Sequence, residues 1–342
     1  MNPHADSPLG ASRPAPQVTA EVLTQALPYI QRFAGRTVVI KFGGVPVSDP
    51  EVARAVAGDV LLMHSVGIRP VIVHGGGPQI DDLMGRLGKA PSFVAGRRVT
   101  DAETLDIARM VLLGKVNRDI VASINARAPL AVGVSGEDAG LIVARPRDAS
   151  LGFVGEVDAV DPGIVERLLE LGYIPVVSTI GAGAGAQPYN INSDTVAGAL
   201  AAALGAERLV VLTDVAGLLA DVTDPASVLS EVTAADLAAI LADGRVAGGM
   251  IPKAEACLAA VRGGVGSAHL LNGTQPHVLL LELFTDEGVG TMIRPDPPET
   301  AGEAQCSLRR AEPPSRAPTL SPSGRPPTPS AARSCPATGR RR

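Results

Sequence analysis

The chain has no tryptophan, three tyrosines and five phenylalanines among its 342 residues, too few aromatic faces for recognition by stacked bases or an aromatic cage. Cysteine is as scarce. Cys257, Cys306 and Cys335 are odd in number and lack metal-ligand spacing, which excludes a disulfide framework and a zinc site. No run of about 18 apolar residues occurs, and Met1-Asn2-Pro3-His4-Ala5-Asp6 holds neither a basic nor an apolar signal region. A cytoplasmic chain without a membrane partner is expected. Positive charge is not in excess either: 30 Lys and Arg against 35 Asp and Glu leave −5, which argues against a nucleic-acid partner.

Lysine itself is the most telling scarcity. Of the 30 basic residues only Lys41, Lys89, Lys115 and Lys253 are lysines. A chain that uses arginine for nearly every cation has four places to ask why a compact ammonium group stands there.

What is present is a globular composition, 46% hydrophobic and 19% charged. Proline concentrates at the ends, with four of 29 in residues 1–20 and eleven in 295–342. The last 48 residues carry eight Arg against four acids and few large apolar side chains, so the segment 295–342 is expected to be disordered, as is an extension over 1–18. Over 19–35, Val22, Leu23, Ala26, Leu27, Ile30 and Phe33 form a stripe at helical spacing, interrupted by Pro28, which predicts a kinked helix. Its apolar face has to be buried on its own domain or on another subunit.

Between the ends, Thr37-Val38-Val39-Ile40, Val71-Ile72-Val73, Pro175-Val176-Val177-Ser178 and Leu209-Val210-Val211-Leu212 read as strands buried on both faces. Asp49 before Pro50, Thr100 with Glu103, and Thr233 ahead of Asp236 signal helix starts. Alternation of strand and helix predicts an α/β fold with a largely parallel sheet, whose ligands sit at the carboxyl ends of the strands.

Two glycine loops lie at such ends, Lys41-Phe42-Gly43-Gly44 and His74-Gly75-Gly76-Gly77. Consecutive glycines turn amides toward an anion without a Cβ in the way, although either loop alone also reads as a tight packing turn. Neither matches a P-loop. Gly181 to Ala186 mimics a dinucleotide fingerprint, but the following Gln187-Pro188-Tyr189-Asn190 cannot begin the helix that such a site requires. Lys41 and Lys253, the latter in Gly248-Gly249-Met250-Ile251-Pro252-Lys253, both stand beside glycine pairs. An ammonium group there suits phosphoryl transfer, because it follows charge from leaving to attacking oxygen. Lys89 and Lys115 lack that context and read as surface cations. Asp194, in Asn190-Ile191-Asn192-Ser193-Asp194, opens a helix over Thr195 to Leu204. It either complements the helix dipole or holds two lysines in place.

These motifs, in this order, together with Gly96-Arg97-Arg98-Val99-Thr100, resemble the amino acid kinase family, and within it the N-acetyl-L-glutamate kinases, over roughly residues 20–294. The resemblance implies an αβα sandwich with a mainly parallel central sheet, an acetylglutamate-binding lobe over 36–181 and an ATP-binding lobe over 182–294. It implies ATP-dependent phosphorylation of the side-chain carboxylate of N-acetyl-L-glutamate, with Mg²⁺ carried on the nucleotide. Lys41, Lys253 and Asp194 correspond to the catalytic group. Gly76, Gly77, Arg98 and Asn190 correspond to the acetylglutamate site, and Gly43, Gly44, Asp214 and Gly249 to the phosphate and nucleotide side. Tyr29 and Glu287 resemble the arginine-inhibited branch, which implies an L-arginine effector, a homo-oligomer from dimer to hexamer and, in some hexameric relatives, a PII-type signalling partner. The chain departs from the family pattern at Phe42, at Val45-Pro46-Val47, at Glu137 where Lys is usual, and at Asn272-Gly273-Thr274. Acetylaminoadipate, glutamate, aspartate or carbamate remain alternative substrates, and a non-catalytic arginine-sensing relative is the alternative from another class.

Overall fold

A computed structural model describes residues 15–44, 49–94, 97–221, 223–224, 227–285 and 288–297, the side chain of Arg97 excepted. The four apolar runs become β1 (Thr37–Phe42), β2 (Arg69–His74), β8 (Ile174–Ser178) and β11 (Arg208–Thr213). They lie side by side as β11-β1-β2-β8 in the middle of an eight-stranded sheet, all mutually parallel, where covering layers on both faces demand continuous apolar sequence. Beyond this centre lie β5 (Ala131–Ser135) at one edge and β13 (Ser267–Asn272), β14 (Thr291–Arg294) and β12 (Glu231–Thr233) toward the other. Only the β13–β14 pairing in this sheet is antiparallel.

The remaining strands lie outside this sheet. β3 (Phe93–Val94) and β4 (Arg97–Arg98) form a hairpin, and β6 (Ile142–Pro146), β7 (Val154–Val160), β9 (Ile180–Ala182) and β10 (Pro188–Ile191) close into a small four-stranded barrel. The helices are α1 (Pro16–Phe33), α2 (Pro50–Ser65), α3 (Gly77–Arg86), α4 (Ala102–Arg109), α5 (Asn117–Asn125), α6 (Gly163–Glu170), α7 (Ser193–Ala203), α8 (Ala234–Ala242), α9 (Met250–Arg262) and α10 (Val278–Phe284). A π-helical segment, Met110–Val116, joins α4 to α5.

Period-two alternation sorts the sheet's side chains between two cores. Val38, Ile40, Phe42 and Ile72 pack with α2, α5 and α10; Val39, Val71, Val73 and Val211 pack with α7, α8 and α9. The layering is the expected αβα sandwich with a mainly parallel sheet.

Several local expectations shift. Asp49 caps α2 through the amides of Glu51 and Val52, and Thr233 and Asp236 form a capping box on α8. The cap of α4, however, is Asp101, which accepts from the Thr104 amide at 2.8 Å. Thr100 instead bridges to Gly152, so its pairing with Glu103 does not form. The helix placed over 19–35 spans Pro16–Phe33, taking in three residues of the expected disordered extension, and continues unbroken through Pro28. The helix expected from Thr195 begins at Ser193, because Asn192 caps it. The 181/182 lobe boundary falls inside β9, which pairs with β10 so that Gly181 to Ala186 enter a hairpin and not a dinucleotide turn. Asp296, expected in the disordered tail, accepts a hydrogen bond from the Ala235 amide at 2.8 Å and belongs to the main compact unit. Among the described residues no helix is long and apolar enough to cross a membrane.

Candidate active site

The alternation of β1 decides where Lys41 points. Phe42 and Ile40 enter the α2 side, so Lys41 shares the Val39 face, beneath α7 and α9. Asn192 caps α7 by accepting from the amides of Asp194 and Thr195 at 2.8 and 3.1 Å, which fixes Asp194 in the first helical turn. Gly198 of α7 lies so close to α9 that a Cβ there would meet the Ala256 carbonyl oxygen at 2.8 Å. That close approach brings Lys253, in the first turn of α9, to the same carboxylate.

Lys41 Nζ lies 3.0 Å from Asp194 Oδ1, and Lys253 Nζ lies 4.0 Å from Asp194 Oδ2 and donates to the Gly249 carbonyl at 3.0 Å. Lys41 and Asp194 are 5% and 4% exposed. Asp194 Oδ1 receives no aligned hydrogen bond, so its contact with Lys41 is one of charge. Charges this far from water persist only when paired. Two ammonium groups on one carboxylate leave about one net positive charge facing the ends of β1 and β2.

The glycine loops close the other side. A Cβ on Gly43 would stand 3.2 Å from the Gly75 amide nitrogen and 3.3 Å from Lys41 Nζ, and one on Gly75 would stand 3.0 Å from Ser193 Oγ. The two loops, Lys41 and the start of α7 therefore converge. Gly44 has φ +71°, a conformation open to glycine at no steric cost.

Gly76, Gly77, Arg98 and Asn190 all line one cavity of about 200 Å³ beside this cluster. Arg98 is aimed by four contacts: Nη1 donates to Asp81 Oδ1 at 2.5 Å and to Met84 Sδ at 3.5 Å, Nη2 to the Gly77 carbonyl at 3.3 Å, and the guanidinium lies 4.9 Å from the Phe93 ring centroid. Asn190 donates weakly to Thr100 Oγ1 at 3.5 Å. Gly249 precedes α9, and Asp214 follows β11, exposed and accepting from Thr213 Oγ1 at 3.1 Å. Tyr29 stands apart, at a cavity with Glu282 and His269. Glu287 lies outside the described residues, as do Val45, Pro46 and Val47.

Ser193, of the polar stretch before α7, also lines the cavity, as do Thr179, Arg147 and Glu156, which nothing in the sequence marked. Arg147, just past the end of β6, and Glu156 of β7 pair at 3.0 Å, and no short motif marks such a pairing. Cys257, one turn beyond Lys253, is wholly buried; burial and then Asp194 push its thiol up, so it stays protonated. Lys89 and Lys115 pair with Asp101 and Glu103, and with Asp119, away from the cluster. The departures find local partners. Glu137 pairs with Arg109 at 2.9 Å, and Asn272 Oδ1 accepts from the Thr274 amide and hydroxyl in a self-contained turn.

A family model for the amino acid kinase family matches residues 36–272, from β1 to the end of β13. The chain belongs to the amino acid kinase family. It is 54% identical over 283 residues to the acetylglutamate kinase of Symbiobacterium thermophilum, covering 80% of this chain and 97% of that protein. The solved N-acetylglutamate synthase from Neisseria gonorrhoeae, complexed with coenzyme A and N-acetyl-glutamate, is similar with a TM-score of 0.72 and 26% identity; the match covers 81% of this chain and 64% of that one. The Giardia lamblia carbamate kinase bound to AMP-PNP shares the fold at a TM-score of 0.59 and 18% identity, over 77% of this chain and 100% of that one. In this family member, the convergence of Lys41, Asp194 and Lys253 falls within the matched span.

Proposed function

We propose that this enzyme transfers the γ-phosphoryl group of ATP to the side-chain carboxylate of N-acetyl-L-glutamate, giving N-acetyl-L-glutamyl 5-phosphate and ADP as a step of arginine biosynthesis. The observation that carries it is the pair of lysines on Asp194 beside a cavity holding Arg98 and the Gly75–Gly77 loop. The identity to curated acetylglutamate kinases supports the choice of acid.

The chemistry needs little from the protein beyond alignment and charge. The acceptor carboxylate is ionised at neutral pH, so no general base is required. Arg98 offers a guanidinium to the substrate's other carboxylate. The amides of Gly76 and Gly77 and the dipole of α3 face the same ligand. Lys41 and Lys253 neutralise charge on the transferring group, and Asp194 keeps both in place. Mg²⁺ fits as a passenger of the nucleotide, since Asp194 is already shared between two ammonium groups and no cluster of three ligands for a metal exists among the described residues. Bound there, it would neutralise phosphate charge.

Turnover of ATP measured with N-acetyl-L-glutamate, acetylaminoadipate, glutamate, aspartate and carbamate tests the assignment. Acetylglutamate is expected to give the highest kcat/KM; a higher value for another acid reassigns the substrate, and no turnover with any of them favours the non-catalytic reading.

Feedback inhibition by L-arginine is a second part of the proposal. Tyr29 of α1 meets His269 and Glu282 at a cavity of about 400 Å³. Burial pushes the Glu282 carboxyl up, but His269, the Val289 amide and Arg208 outweigh it and hold the group ionised below its usual range. An ionised carboxylate beside an aromatic ring suits a guanidinium. Saturating L-arginine should depress activity, and Glu282→Gln should raise the half-inhibiting concentration about tenfold; unchanged activity at saturating arginine overturns this part.

A further inference from the structure

The glycine loop that faces the proposed substrate is held from behind by a buried polar line that the chemistry above does not use. His74 ends β2 and is 0% exposed. Its Nδ1 lies 3.0 Å from the Gly75 carbonyl oxygen, and its Nε2 lies 3.1 Å from Asn117 Nδ2. The amide nitrogen of Asn117 also donates to the Val176 carbonyl of β8 at 2.8 Å. Asn117 Nδ2 is a donor only, so Nε2 must accept and Nδ1 must carry the proton that Gly75 receives. Burial pushes the ring down to about 4, which keeps it neutral and this tautomer intact at ordinary pH.

Asn117 is fixed in turn. Its Oδ1 accepts from the Arg118 guanidinium, and both groups lie over Gly133 of β5, where a Cβ would overlap Arg118 Nη2 and Asn117 Oδ1. The line thus runs from the edge strand β5 through α5 to the loop after β2.

The loop itself shows what this achieves. The carbonyls of Gly75, Gly76 and Gly77 are engaged by His74, by the Ile80 amide at 3.0 Å and by Arg98. Among the described residues the amides of Gly76 and Gly77 have no backbone acceptor. With every carbonyl turned toward the protein, successive amides are left for the cavity.

We propose that His74 and Asn117 are positioning residues: they hold the Gly75 carbonyl inward so that the Gly76 and Gly77 amides are presented to the carboxylate substrate. The inference rests on the kinase reading, and its tests separate the two. The side-chain amide of asparagine places its NH₂ close to the position of a histidine Nδ1, so His74→Asn keeps the donor to Gly75, whereas His74→Leu removes it.

Steady-state kinetics and thermal midpoints of both variants and of Asn117→Ala, run in the full chain, decide the matter. His74→Leu should raise KM for N-acetyl-L-glutamate about tenfold while KM for ATP stays within about twofold, and His74→Asn should restore most of the loss. Asn117→Ala, which leaves the ring in place but frees its tautomer, should shift the same KM in the same direction by less. Unchanged KM in His74→Leu overturns the proposal, as does equal impairment of His74→Leu and His74→Asn, or a parallel rise in both KM values. If His74→Leu does not fold, Asn117→Ala carries the same test. Failure of the kinase reading shows separately, as wild-type protein without turnover on this acid; if another carboxylate is the preferred substrate, the KM split is read with that one.

Discussion

Lys41 and Lys253 share one carboxylate, Asp194, and an arginine is expected to replace neither of them in function. A guanidinium at Lys41 would need space in a position already 5% exposed and 3.3 Å from where a Gly43 Cβ would stand. Replacing either lysine by alanine should lower kcat by roughly 10²–10³-fold, the usual effect of removing one preorganised charge partner, with little change in the affinity for acetylglutamate. Measured single-turnover rates check this, and Lys253→Arg should not recover the wild-type rate. His74 yields a prediction of another kind. Unfolded, it titrates near its ordinary value of 6.5; folded, burial holds it near 4. Between these values the unfolded chain binds the extra proton, so stability falls as pH falls from about 6.5 to 4, by roughly 3 kcal/mol for this group. Thermal midpoints across that window should drop for the wild type and drop less for His74→Asn.

At the scale of elements, the contact of α7 with α9 is the joint on which the site depends. Gly198→Ala would drive a methyl group to 2.8 Å from the Ala256 carbonyl oxygen, a backbone atom that cannot swing aside. The helices must separate, at a cost of about 1–3 kcal/mol, and Asp194 and Lys253 ride on them. A lowered thermal midpoint together with a lowered kcat is expected; a normal kcat would show that the joint is slack. Elements such as β1, β2, β8 and β11 were legible in the sequence because burial on both faces leaves apolar runs with glycine at their ends. The barrel strands β6, β7, β9 and β10 were not, since their buried and exposed positions are mixed and form no continuous apolar run, and Gly181 to Ala186 imitated a different turn. The site followed the same division. Lys41 and Lys253 stood beside unusual glycines and Asp194 in a polar stretch opening a helix, whereas Arg147, Glu156 and the Asn117–His74 contact depend on residues brought together by the sheet. The start of α4 was misread by one residue because Thr100 and Asp101 both suit a cap, and only the Thr100 bridge to Gly152 decides between them.

At the scale of the whole molecule, α1 leaves Val22, Leu23 and Leu27 between 48% and 65% exposed, while Phe33 alone of that helix is buried, with Arg208 stacked 4.6 Å over its ring. An amphipathic helix tethered at one end and bare along its apolar face suits the homo-oligomer that the family resemblance implies, whose second subunit would cover it. Light scattering on Leu23→Glu/Leu27→Glu should show a smaller particle than wild type with basal kcat retained and arginine response weakened; identical mass for both proteins would remove the helix from the interface. The order β11-β1-β2-β8 has a consequence for synthesis. β1 can join β2 at once, but its other neighbour begins only at Arg208. At about 5–20 residues per second the ribosome needs roughly 10–30 s to deliver it. For that interval β1, a central strand of the sheet, carries an open edge, and until Asp194 is made Lys41 lacks its counter-charge. The nascent chain is therefore most exposed to misassociation before β11 is made, and a chaperone that shields that edge would raise yield without touching the finished enzyme.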